Sequence, residues 1–163
     1  MYLIDDTRRS IPEMSALVGS FASMLEEPAN SSVPKPTAVS LFSGCGGFCE
    51  GVRTAGFDVR AAVEIDRFAA ETYRANFPET RLYEGDATDF LNEGSPVWAH
   101  DADRFADIQP GTIDLLFGGP PCQGFSQIGP RMLDDPRNKL YMEFIRVLKH
   151  LRPATFLMEN VPN

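Results

Sequence analysis

The sequence lacks several features that would assign it to a specialised class of protein. No apolar run approaches the ~20 residues that a membrane-spanning helix needs, and the charged first ten residues lead into no apolar signal-peptide core. We therefore expect a cytoplasmic protein with no membrane partner. There are three cysteines, Cys45, Cys49 and Cys122, an odd number that does not suggest a disulfide framework. The two histidines, His100 and His150, do not lie at metal-ligand spacing, so we expect no metal site.

What is present is the composition of a globular protein. The chain has 163 residues, of which 43% are hydrophobic, enough for one domain or part of one. A net charge of -8 argues at first against a nucleic-acid partner. The charge is uneven, however: residues 120–152 carry six basic and three acidic side chains. This basic excess is compatible with a phosphate-binding surface, or with an ordinary solvated helix face.

Strand patterns alternate with helix patterns along most of the chain. Residues 1–36 predict an amphipathic helix, starting from a capping box at Ser10, followed by a proline-rich linker. Residues 37–163 predict a separate, partial domain. Its expected strands are 37–42, 59–65, 81–83, 113–117 and 154–158, and its expected helices are 48–55, 68–76 and 138–151, with an irregular acidic stretch over 91–111. Such alternation is typical of an α/β fold with a parallel sheet and helices on both faces.

Polar and glycine-rich positions follow the first three predicted strands. The first strand leads into a turn with Gly44, Gly46 and Gly47, where a ligand could lie against the backbone at a helix N-terminus. Glu64 ends the second strand and could accept both hydroxyls of a ribose, and Asp86 follows the third. The turn does not match G-x-G-x-x-G, which disfavours a nicotinamide dehydrogenase, and no phosphate-gripping lysine accompanies it. A nucleoside-bearing cofactor without phosphates fits best.

Cys122 follows the fourth predicted strand on a loop stiffened by Pro120 and Pro121. One interpretation is a nucleophile presented at the carboxyl end of a strand, where α/β sheets place their sites. The other is an ordinary turn with a small buried thiol. The local spacing alone does not decide between them.

Five motifs occur in an order that resembles the first six motifs of the cytosine-5 DNA methyltransferases. They are Leu-Phe-Ser-Gly-Cys-Gly-Gly-Phe over 41–48, Glu-Ile-Asp over 64–66, Gly-Asp over 85–86, Pro-Pro-Cys-Gln-Gly-Phe-Ser over 120–126 and Glu-Asn-Val over 159–161. The resemblance covers residues 37–163. It implies a Rossmann-like S-adenosylmethionine-dependent methyltransferase fold, with a parallel sheet of strand order 3-2-1-4-5 that is incomplete at the C-terminus.

The resemblance also implies a role for each motif. Phe42 and the glycine turn (Gly44, Gly46, Gly47) would line the S-adenosylmethionine site. Glu64 would bind the ribose, Ile65 would pack on the adenine, and Asp86 would contact the adenine amino group. Cys122 would be the nucleophile that adds to C6 of cytosine, and Glu159 would face the target base. The base would be flipped out of double-stranded DNA, since it is inaccessible within the duplex.

Two alternatives to a DNA methyltransferase stay open at this point. One is the same chemistry on RNA, because a tRNA-modifying branch shares the scaffold. The other is a non-catalytic subunit that keeps the fold. The family's later motifs do not occur before Asn163. We therefore expect a fragment or one part of a split enzyme, inactive alone, with a second polypeptide carrying those motifs.

Overall fold

Five parallel strands form the centre of the molecule in a computed structural model, which describes residues 34–121 and 138–160. The strands are β1 (Thr37–Leu41), β2 (Asp58–Glu64), β3 (Arg81–Glu84), β4 (Leu115–Gly118) and β5 (Thr155–Met158). They lie in the order β3-β2-β1-β4-β5, and every neighbouring pair is parallel. The expected α/β class and strand order are therefore confirmed. The predicted N-terminal helix lies outside the described residues.

Helices cover the two faces of the sheet because side chains alternate along each strand. Helix α1 (Gly47–Thr54) and helix α2 (Arg67–Asn76) pack on one face, where Ala38 and Phe117 are fully buried. Helix α3 (Asn138–Leu151) packs on the other face, over Val39 and Leu116. The inner side of α3 carries Phe144, Val147 and Leu151, which are fully buried.

Most element boundaries lie within one residue of the prediction, and β4 differs the most. It was expected to begin at Ile113 and begins at Leu115. Asp114 instead accepts hydrogen bonds from the backbone N–H of Thr37 at 2.7 Å and from its hydroxyl at 2.9 Å. These bonds fix the starts of β1 and β4 side by side. They also hold the pKa of the exposed Asp114 carboxyl below its usual value.

The stretch expected to be irregular contains an aromatic cluster. It forms two short 3₁₀ helices, Trp98–His100 and Ala102–Phe105. The rings of Tyr83, Phe90, Trp98 and Phe105 meet largely edge-on, with centroids 5.2 to 6.3 Å apart. Aromatic rings bury large areas in such arrangements. The cluster therefore anchors the long connection between β3 and β4 to the core.

At the opposite edge of the described sheet, β5 is less well covered. Phe156 and Leu157 are 54% and 48% exposed. No helix within residues 34–121 and 138–160 combines the length and apolarity needed to cross a membrane.

Candidate active site

A cleft of about 360 Å³ opens at the carboxyl ends of the strands. This is the edge of a parallel α/β sheet at which ligands bind. Five residues predicted to hold a cofactor line it: Phe42, Gly44, Glu64, Ile65 and Asp86. The remaining lining residues are Val63, Gly85, Ala87, Gly119, Pro121 and Leu140. The fold thus gathers residues that are up to 98 positions apart into one concave surface.

Glu64 is held rigidly at the floor of this cleft. It is only 9% exposed. Its Oε2 accepts the backbone N–H of Gly44 at 2.7 Å, and its Oε1 accepts that of Asp66 at 2.7 Å. A carboxylate offers about four acceptor positions, so two remain for a ligand. The arrangement fixes the side chain in place while leaving it able to receive two hydroxyl groups.

The walls beside Glu64 are apolar and partly strained. Ile65 is 66% exposed, which is unusual for an isoleucine, and it projects beside the cleft. Phe42 has a φ of 57°, in the left-handed region that a non-glycine residue adopts at a cost of roughly 1–2 kcal/mol. Such strain persists only where the surroundings enforce it, and it clusters at functional sites. These two side chains offer apolar surface against which a ring could pack.

Asp86 lies in a tight turn directly after β3. Its Oδ1 accepts the Thr88 N–H at 2.9 Å. The preceding Gly85 N–H donates to the backbone oxygen of Glu64 at 3.0 Å, which ties this turn to the end of β2. One Asp86 carboxylate oxygen is therefore committed to the turn, and the side chain as a whole borders the cleft.

Gly46 and Gly47, by contrast, do not line this cleft. They border a separate depression with Cys45, Asn76 and Phe77. Gly46 has a φ of +96°, and a Cβ atom built on it would lie 2.1 Å from the Phe77 ring. Its glycine identity is thus explained by backbone conformation and close packing. The predicted cofactor role of these two glycines stays a prediction.

The loop that carries Cys122 reaches the cleft from the fourth strand. Pro121 lines the cleft, whereas Cys122 itself lies outside the described residues. Glu159 follows β5, and its backbone N–H donates to the Gly118 oxygen at 3.0 Å. A Cβ built on Gly119 would meet Glu159 Oε2 at 3.0 Å, so the exposed Glu159 carboxylate lies directly over Gly119. The two predicted catalytic positions therefore follow neighbouring strands.

The other two cysteines occupy different environments. Cys49 is fully buried beneath the glycine turn, and burial raises the pKa of its thiol. It is therefore protonated and inaccessible, as expected of a structural cysteine. Cys45 is exposed and lies outside the cleft. Among residues 34–121 and 138–160, no group of three or more histidine, cysteine or acidic side chains could hold a metal ion.

Comparison with known proteins identifies the family to which this chain belongs. The family model of C-5 cytosine-specific DNA methylases matches residues 37–163. The chain belongs to the C-5 cytosine-specific DNA methylase family. The resemblance read from the sequence motifs is thus confirmed.

Individual methylases support this assignment. The chain is 43% identical over 128 residues to the Type II methyltransferase M1.HphI of Haemophilus parahaemolyticus, covering 77% of the chain and 32% of that protein. It is 44% identical over 124 residues to the Type II methyltransferase M.AquIA of Picosynechococcus sp., covering 76% of the chain and 47% of that protein. A crystal structure described as a DNA modification methyltransferase encoded within an E. coli prophage matches with a TM-score of 0.62 and 43% identity, covering 78% of the chain and 32% of its own. The chain thus spans about a third to a half of the length of these relatives.

Six residues that line the cleft were not among the predicted site residues: Val63, Gly85, Ala87, Gly119, Pro121 and Leu140. All six are glycine, proline or aliphatic residues and carry no chemically distinctive group. One further residue, Arg146 on α3, donates a hydrogen bond to the backbone oxygen of Ala87, next to Asp86. Helical spacing shows that Leu140 and Arg146 lie on α3. It does not show which other parts of the chain these two residues contact.

Proposed function

We propose that this chain forms the cofactor-binding and catalytic part of a methyltransferase that transfers a methyl group from S-adenosylmethionine to C5 of cytosine in DNA. The observation that carries the proposal is the cleft itself. It joins Glu64, Ile65 and Asp86 on one side to Pro121, the neighbour of Cys122, on the other. Membership of the methylase family supports the same conclusion.

The residues of the cleft fit the nucleoside part of this cofactor. The two free acceptor positions of Glu64 suit the two hydroxyls of a ribose. Ile65 and Phe42 provide apolar surface for the adenine, and Asp86 can accept a hydrogen bond from its amino group. When bound, S-adenosylmethionine supplies an electrophilic methyl group on a sulfonium. The lining residues within the described part of the chain include no lysine, which agrees with a cofactor that carries no phosphates.

The proposed role of Cys122 is to make C5 of cytosine nucleophilic. Its thiolate adds to C6, and the electron pair of the C5–C6 double bond moves to C5, which takes up the methyl group. A base then removes the C5 proton, the double bond re-forms, and the thiolate leaves. Glu159 would hydrogen-bond N3 and the exocyclic amine of the base and, in its protonated form, stabilise the adduct. Its place over Gly119, on the strand next to that of Cys122, supports this assignment.

Double-stranded DNA is the proposed substrate, and the target cytosine must be flipped out to reach the cleft. The basic excess of residues 120–152 supports phosphate contacts close to Cys122. Because the chain spans only part of its relatives, we propose that a second polypeptide segment completes the enzyme and reads the DNA sequence.

The first test of this function needs only the chain itself. Calorimetric titration with S-adenosylhomocysteine, the demethylated product, should show one binding site. Glu64→Ala should abolish that binding, and Glu50→Ala, on an exposed α1 position, should preserve it. Absence of binding by the folded wild-type chain would contradict the proposed function.

The second test concerns the nucleophile and the nucleic acid. The chain would be joined to the remaining part of the M1.HphI methyltransferase and incubated with S-adenosylmethionine and oligonucleotides containing 5-fluorocytosine. Fluorine at C5 cannot leave as a proton does, so the covalent intermediate should accumulate at Cys122. Peptide mass spectrometry should locate it there, and Cys122→Ala should form none. An adduct with RNA but not with duplex DNA would replace the proposed substrate, and DNA binding without any adduct would reject the mechanism.

A further inference from the structure

Arg146 on α3 connects two parts of the chain that are far apart in sequence. One terminal nitrogen, Nη2, donates to the backbone oxygens of Ala87 at 2.7 Å and Phe90 at 2.8 Å. The other, Nη1, donates to that of Leu91 at 3.4 Å. Its Nε donates to Glu143 Oε2, one turn earlier on the helix, at 2.6 Å. Four of the five guanidinium donors are therefore used.

The three carbonyls belong to the turn that follows β3, which we call the Asp86 turn (residues 85–91). Its first part carries Gly85, Asp86 and Ala87, which all line the cleft. Helix α3 contributes Leu140 to the same cleft, less than two turns before Arg146. A single side chain thus joins two elements that both line the cleft.

The other hydrogen bonds of the Asp86 turn lie mostly within the turn or with residues just after it. Asp89 N–H donates to the Asp86 oxygen at 3.0 Å, Thr88 N–H donates to the Asp86 carboxylate, and Asn92 Nδ2 donates to the Thr88 oxygen at 3.1 Å. Ser95 Oγ donates to Asp89 Oδ1 at 2.6 Å, and Gly85 N–H ties the start of the turn to the Glu64 oxygen. Leu91 has a φ of 54°, an unfavourable conformation for a branched residue. Buried carbonyls without partners are costly. Arg146 gives three carbonyls of the turn a charged donor. Its side chain is only 31% exposed, so water screens these bonds only in part.

Glu64 does not depend on such a contact, because β2 lies inside the sheet between β1 and β3. Asp86 follows the neighbouring strand β3, and Gly85 continues the pairing with β2 by one further bond. Beyond Gly85, the backbone of the Asp86 turn is held by bonds within the turn and by the Arg146 guanidinium. The relative positions of Glu64 and Asp86 must suit a ligand that contacts both.

We propose that Arg146 is a positioning residue that sets the Asp86 wall of the cleft and thereby the affinity for the cofactor. This inference rests on the proposed function, since it takes the ligand of the cleft to be S-adenosylmethionine. Arg146 does not itself touch the ligand; it acts through the backbone that carries Asp86 and Ala87.

The test compares cofactor affinity in variants of the full chain by calorimetric titration with S-adenosylhomocysteine. Arg146→Lys keeps the charge but replaces the planar guanidinium with a single nitrogen, which cannot reproduce the bonds of Nη2, Nη1 and Nε together. Loss of the ordering provided by one charge-assisted hydrogen bond should weaken binding about tenfold. Arg146→Gln should weaken it further. Arg104→Lys is the matched control, because Arg104 also bonds to a backbone oxygen of β3, that of Leu82 at 3.3 Å, but at a distance from the cleft lining.

Amide hydrogen exchange separates positioning from general stability. Exchange at Thr88 and Asp89 should accelerate in the Arg146 variants, while exchange in β1 should not change. Saturating S-adenosylhomocysteine should restore protection. In the complete enzyme, the KM for S-adenosylmethionine should rise with little change in kcat. A merely structural residue would lower the stability of the whole domain and leave the affinity of the folded fraction unchanged.

The outcomes distinguish this inference from the proposed function. If the wild-type chain does not bind S-adenosylhomocysteine, the proposed function fails. If the wild type binds and both Arg146 variants bind equally well, the positioning role is overturned. Should those variants not fold, Glu143→Gln decides, because it removes the negative charge that pairs with the guanidinium while leaving the guanidinium donors intact. Glu143→Gln should weaken binding about threefold, and unchanged affinity in that variant would overturn the proposal.

Discussion

Replacing Glu64 by glutamine changes one atom at the floor of the cleft and should cost both stability and cofactor affinity. Each carboxylate oxygen accepts one backbone N–H at 2.7 Å, from Gly44 and from Asp66. Glutamine supplies one oxygen and one amide nitrogen. Whichever way the amide points, one backbone N–H then faces a second donor. No rotation of the side chain can satisfy both.

The magnitude follows from these two bonds. Hydrogen bonds to a charged acceptor contribute about 1.5–3 kcal/mol each, and a buried donor without a partner costs a similar amount. Because Glu64 is only 9% exposed, water cannot readily replace the carboxylate as acceptor for the backbone N–H that loses its bond. We therefore expect Glu64→Gln to lower the free energy of unfolding by about 2 kcal/mol. Loss of one acceptor for the ribose should weaken S-adenosylhomocysteine binding about tenfold as well.

Urea denaturation measures the first effect, with fluorescence of the single tryptophan as the probe. Trp98 is 6% exposed among aromatic rings, so its emission should change on unfolding. With an m value of about 2 kcal/mol/M, the midpoint should fall by about 1 M. Glu50→Gln is the control: Glu50 is exposed and pairs with Arg53, so the change should stay below about 0.5 kcal/mol. Equal midpoints for the two variants would refute the account of Glu64.

Three further substitutions test a close backbone contact, a buried hydroxyl group and an ion pair elsewhere in the fold. Gly118→Ala should destabilise the domain by about 1–3 kcal/mol, because the added Cβ would lie 2.3 Å from the Leu41 carbonyl oxygen across the sheet, and the thermal midpoint should fall accordingly. Tyr83→Phe should leave stability unchanged or raise it, since the buried Tyr83 hydroxyl has no hydrogen-bond partner in the described part of the chain; a clear loss of stability would contradict this. Hydrogen bonding to Arg81 lowers the pKa of the Asp107 carboxyl. The ionised carboxyl therefore stabilises the folded state at neutral pH, and this stabilisation is lost as the pH falls below about 4 and through the pKa of the folded state. Asp107→Asn should therefore be less stable than wild type at pH 7, and urea midpoints should converge in acid.

Much of the fold could be predicted from local pattern alone. The alternation of strand and helix segments gave the parallel sheet, and α3 was placed correctly at Asn138–Leu151. The connection after β3 was not predicted well. It looked irregular because its apolar residues follow no regular period, and its order comes from rings that meet across long sequence distances, such as Tyr83 and Phe105.

For the candidate site, strand ends were the informative signal. Glu64 ends β2, Ile65 follows it and Asp86 follows β3, and parallel strands bring such positions to one edge. Glycines were a weaker guide, because their identity has several causes. The backbone N–H of Gly44 donates to Glu64, and Gly44 lines the cleft. Position 46 must be glycine because its backbone is left-handed and a Cβ atom there would collide with the Phe77 ring. The same residue type two positions apart serves different purposes.

The sequence by itself determined which side chains follow which strands, because strand and helix periodicity are local properties. It also determined the family, through the order of short motifs. Only the tertiary structure decided which glycine reaches the cleft, that both oxygens of Glu64 are engaged by backbone donors, and that Arg146 bonds to the backbone beside Asp86. These depend on contacts between residues up to 59 positions apart, as between Arg146 and Ala87, and such contacts exist only once the sheet and its helices have packed.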